Sequence, residues 1–145
     1  MADINEIHSD KRFSLVELLM IIMLVGIIFT IVVPLSIQKK NHEKIAESIY
    51  NLQLIAREDQ NFYNNPDNGY YAFDVGMLNI DESLFKKTDD QFIFDYSLTD
   101  STAVATTNEN YGIEGAQVIY FLPKGPWSLG KDKVSTSTFD SVWLP

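Results

Sequence analysis

The stretch from Phe13 to Lys40 reads FSLVELLMIIMLVGIIFTIVVPLSIQKK. Its 21 residues from Leu18 to Gln38 carry no charge, and nearly all are Leu, Ile, Val, Met or Phe. A bilayer core needs about 20 such residues in a helix, whereas a cleavable secretory signal has a shorter apolar core followed by a small-x-small site. No such site follows here, so the segment reads as a retained membrane helix. Glu17 adjoins the run, Gly26 sits in its middle and Pro34 falls late in it. Each is costly in a plain anchor: a carboxylate near lipid, a flexible residue, and a residue that removes a helix hydrogen bond.

Outward from this rod, the N-terminal residues 1–12 are polar and end in Lys11-Arg12, a basic flank that favours a cytoplasmic N-terminus. On the other side the helical pattern runs on to about residue 63, making one helix of roughly fifty residues. Ile45, Ile49, Leu52, Ala56 and Tyr63 share one face, and Lys44, Glu47, Arg57 and Glu58 are read as polar positions around the rest. Asn64-Asn65-Pro66-Asp67-Asn68-Gly69 is dense in turn residues and stops the helix. A connector to about residue 90 follows, with apolar anchors at Tyr71, Phe73, Met77, Leu78, Leu84 and Phe85. Strands are expected around 92–97, 102–107 and 117–122, with a fourth strand or packed tail over 134–143. The expected fold is α+β: a long N-terminal helix whose C-terminal half packs on a small antiparallel sheet.

Composition narrows function. With 20 acidic and 11 basic residues among 145, the net charge is -9, and a negative surface does not favour nucleic acid. The absence of cysteine removes disulfides, thiolate metal sites and cysteine nucleophiles. His8 and His42 are read as lying outside the globular part, which leaves no histidine for a metal site or triad there. Asp74, Asp81, Glu82, Asp89 and Asp90 lack the compact spacing of a calcium loop and read as solvated surface. No phosphate-binding glycine loop is present, and no cofactor, metal or catalytic residue is expected. This pattern points away from an enzyme.

The residues Lys11-Arg12-Phe13-Ser14-Leu15-Val16-Glu17-Leu18-Leu19, with Gly26 and Pro34 further on, resemble the processing and assembly motif of type IV pilins and type II secretion pseudopilins. The resemblance implies a leader over 1–12, a cut between Arg12 and Phe13, and N-methylation of Phe13. Arg12 stands where the family carries glycine. It further implies a pilin-like fold with the long helix over 13–63, its hydrophobic filament-core part over 13–38, and the connector and sheet head over 64–145. Glu17, Gly26 and Pro34 are the implied assembly residues, with Leu15, Leu18, Leu19, Ile22, Val25 and Phe29 in the filament core. The implied partners are further copies in a helical filament, the inner membrane before assembly, a prepilin peptidase and an assembly platform. The chain would move from the inner membrane to a cell-surface or periplasmic filament. The competing expectation is an extracytoplasmic binding protein that uses the N-terminal segment only as a signal anchor.

Overall fold

Helix α1 spans Leu15–Asn64 in a computed structural model that describes residues 14–145. The chain divides into two compact units, one ending at Gln38 and the other running Lys39–Pro145. In the first unit, α1 is helical throughout, Pro34 included. The hydroxyls of Thr30 and Ser36 donate to the carbonyls of Ile27 and Val33, so these polar side chains satisfy themselves on their own helix.

The second unit places the rest of α1 on a four-stranded antiparallel sheet of order β1-β2-β3-β4, with strands Phe94–Leu98, Thr102–Thr107, Gln117–Phe121 and Trp127–Leu129. The register sets Leu98, Ala103, Tyr120 and Trp127 in one row and Tyr96, Ala105, Val118 and Leu129 in the next. Alternation puts these side chains on one face, where they pack against Ile45, Leu52 and Ile55 of α1. Ala103 and Ala105, fully buried at the middle of that face, leave room for the helix. Phe94, Tyr111 and Phe139 form an aromatic cluster with ring centroids 5.6 to 6.2 Å apart.

The polar reading of α1 needs correction. Glu47 is 4% exposed, and its carboxylate accepts from the Thr88 hydroxyl while Oε1 has no partner. Asn51 is fully buried: its Nδ2 donates to the Lys86 carbonyl at 2.9 Å and to the Tyr96 hydroxyl at 2.8 Å, and its Oδ1 accepts from the Lys86 N–H at 2.8 Å. Asp59 accepts from the Ala72 N–H at 2.8 Å. Glu47, Asn51, Ile55 and Asp59 recur every four residues on one side of α1, so three polar side chains line up to hold the connector, Asn51 and Asp59 by its backbone and Glu47 by the Thr88 hydroxyl. Burial raises the carboxyl groups of Glu47 and Asp59 above their ordinary range, and it raises the Tyr96 hydroxyl as well. The Tyr111 hydroxyl, also buried and without a partner, is pushed up to about 12.

Three further expectations change. The fourth strand is Trp127–Leu129, and the segment read as a strand or tail contains a short helix α2, Lys133–Thr138, capped by Asp132. Pro123-Lys124-Gly125-Pro126 therefore turns β3 into β4. His42 belongs to the second unit, its ring edge-on to Trp143 at 6.1 Å. Within the connector, Leu78 is buried and Met77 and Phe85 pack on the core, but Phe73 and Leu84 are exposed.

Candidate membrane-spanning helix

Every described residue from Ser14 to Lys40 is exposed, although the stretch is the most apolar in the chain. This is a helix long and apolar enough to cross a membrane, as an anchor or a signal sequence would be. Contiguous apolar surface on this scale calls for a cover of lipid or protein.

The helix start is built by two side chains. The Ser14 N–H donates to Glu17 Oε2 at 2.9 Å, and the Val16 N–H donates to Ser14 Oγ at 3.2 Å. This is a capping-box arrangement, in which a serine and a glutamate three residues on satisfy backbone donors at the helix start. The carboxylate also lies where the helix dipole favours negative charge. The sequence signal for this cap is the spacing Ser14-x-x-Glu17.

At 3.6 residues per turn, Leu15, Leu18, Leu19, Ile22, Val25 and Phe29 share one side of α1, with Gly26 among them and Glu17 towards the opposite side. A Cβ built on Gly26 meets nothing within 4 Å, so nothing in the described chain requires glycine there. Pro34, inside the helix, lacks the N–H that would reach the Thr30 carbonyl. Arg12 and Phe13, the expected processing residues, lie outside the described residues, as does His8. Among the described residues no group of three His, Asp or Glu side chains is placed to hold a metal ion.

Comparison with protein-family models, curated proteins and solved structures gives no significant match.

Proposed function

We propose that this chain is the structural subunit of a type IV pilus or a pilus-like secretion filament, polymerising through its apolar N-terminal helix. The observation that carries the reading is the exposed apolar part of α1, up to Lys40, headed by Glu17, which belongs to the prepilin-like run Lys11–Leu19. The acid sets the register and the aliphatic surface supplies adhesion. In a bundle of such helices, Glu17 of one subunit meets a cation at the start of its neighbour's helix. With the leader removed that cation is the Phe13 amine; with the leader kept, Lys11 or Arg12 takes its place. A charge in an apolar bundle is costly alone and tolerable when paired, which makes mismatched registers unfavourable. Burying each large aliphatic side chain is worth about 1.5–3 kcal/mol. Gly26 supports the reading because a mid-helix glycine costs about 0.5–1 kcal/mol and no described residue packs against it, while small residues let helices approach closely. Pro34 supports it by easing the bend that a helix needs on passing from bilayer to filament.

The experiment must separate pairing from capping, since Glu17 caps its own helix. Glutamine caps in the same way but carries no charge. Glu17→Gln and Glu17→Ala are expected to abolish surface fibres alike while both chains still insert in the membrane. Ser14→Ala, which removes only the cap, should retain most fibre yield. Wild-type fibre yield from Glu17→Gln would show that the carboxylate serves only its own helix, and the proposal would fall.

A further inference from the structure

A groove of 540 Å³ runs along the outer edge of the sheet, between β1 and the connector. Phe85, Phe92, Tyr96, Glu82 and Asp95 are among the residues that line it. The rings meet edge-on or tilted, with Phe85 6.2 Å from Phe92 and 5.7 Å from Tyr96. Glu82 and Asp95 form no ion pair with any described residue; the one polar side chain on Asp95 is Asn108, whose Nδ2 donates at 3.2 Å.

Main-chain acceptors add to these. Thr99 pairs with Thr102 by a backbone hydrogen bond, and bonded pairs alternate along an antiparallel ladder. Asp95 and Ser97 therefore bond to β2, whereas Phe94 and Tyr96 turn both their N–H and their C=O groups away from it, at the edge where the groove lies. The lining thus combines aromatic residues, two acidic residues and unpaired main-chain groups, and it contains no Lys, Arg or His.

Aromatic faces attract ammonium ions through the ring quadrupole, and carboxylates and carbonyls accept the N–H groups. The protein's own chemistry displays that attraction next to the groove. The Lys87 ammonium stands 4.5 Å from the centroid of the Phe92 ring, yet Lys87 does not line the groove. Glu82 and Asp95 are exposed and carry negative charge, which repels an anion and attracts an ammonium group.

We propose that this groove binds a primary alkylammonium group, its methylene stem along Phe85 and Phe92 and its charge between Glu82 and Asp95. The group could come from a free polyamine or from a lysine side chain of another protein, and the chemistry is shared. The site lies wholly in the unit Lys39–Pro145 and does not depend on whether the chain assembles into fibres.

The test uses the full chain in neutral detergent with ring-labelled Phe and Tyr, titrated separately with cadaverine, Nα-acetyl-lysine amide and 1-pentanol. Saturable shifts of the Phe92 and Tyr96 ring signals are expected with both amines and not with pentanol. The double substitution Glu82→Gln, Asp95→Asn should weaken both amines at least tenfold while leaving other ring signals in place. Tighter binding of cadaverine identifies a polyamine as the source. Tighter binding of the lysine amide, whose backbone can pair with the free β1 edge, identifies a protein lysine. Absence of saturable shifts, equal affinity in the double variant, or equal competition by pentanol would overturn the proposal.

Discussion

Glu47 shows how one buried carboxyl ties the acid–base behaviour of this protein to its stability. Desolvation raises it above the ordinary value of 4.5 and outweighs the hydrogen bond from Thr88; Asp59, raised above 3.8, behaves in the same way. A raised acid binds its proton more tightly folded than unfolded. The stabilisation it gives is fully present below the unfolded value and is lost as pH rises through the folded value. Asp132 and Asp81 act in the opposite sense. Asp132 is lowered by the hydrogen bonds of Ser135, and Asp81 by those of Ser83. Their contribution is present above 3.8 and is lost on acidification. Above the ordinary carboxylate range the raised groups set the slope, so their contribution to stability should fall as pH rises. Glu47→Gln keeps an acceptor for Thr88 and cannot ionise. Urea titrations followed by tryptophan fluorescence should show a shallower decline with rising pH, above the ordinary carboxylate range, than in the wild type. An unchanged slope would mean that Glu47 is solvated in the folded chain.

At the scale of elements, Asn51 is the polar side chain that joins α1 to both main-chain groups of one connector residue. Its three hydrogen bonds satisfy both main-chain groups of Lys86 and the buried Tyr96 hydroxyl. Asn51→Ala leaves these groups unpaired and should cost about 2–4 kcal/mol, read as a lower urea midpoint at unchanged m-value. A loss within about 0.5 kcal/mol would show that water replaces the side chain. The same scale explains the short helix α2. Val134, Thr136 and Thr138 have the composition of a strand, but Asp132 takes the Ser135 N–H at 2.8 Å and its hydroxyl as well. The Ser135 hydroxyl then accepts from the Gln117 N–H at 2.8 Å, tying α2 to the start of β3. An N-cap with a tertiary partner overrides β-propensity over six residues. Gly130 is part of that junction, since a Cβ there would lie 2.5 Å from Ser135 Oγ.

For the whole molecule, the exposed apolar helix and the acidic globular unit ask for different surroundings, lipid or like helices for one and water for the other. Gly26→Leu tests the assembly role without disturbing the single chain. Open space around Gly26 accommodates the side chain, and helix propensity improves by about 0.5–1 kcal/mol. Helicity in detergent should therefore hold or rise while fibre yield drops. Normal fibres from this variant would remove Gly26 from the interface. The apolar helix was legible in the residues alone because span length and absence of charge are local properties, and the capping pair Ser14 and Glu17 lies three residues apart. Strands β2 and β3 were legible for the same reason, as alternation or an apolar run between turn residues. Local pattern could not say that Glu47 and Asp59 point inward, because periodicity assigns polar residues to solvent unless a partner distant in sequence, here Thr88 or Ala72, takes their hydrogen bonds. Nor could it bring Glu82, Phe92 and Asp95 to one groove, since they meet through the pairing of β1 with its neighbour and the course of the connector. What the chain dictates by itself is the division into an apolar helix and a globular remainder, for hydrophobicity acts residue by residue. Which polar groups are buried, and which surfaces meet, was decided by tertiary structure, since only folding sets the solvent and partners that each group finds.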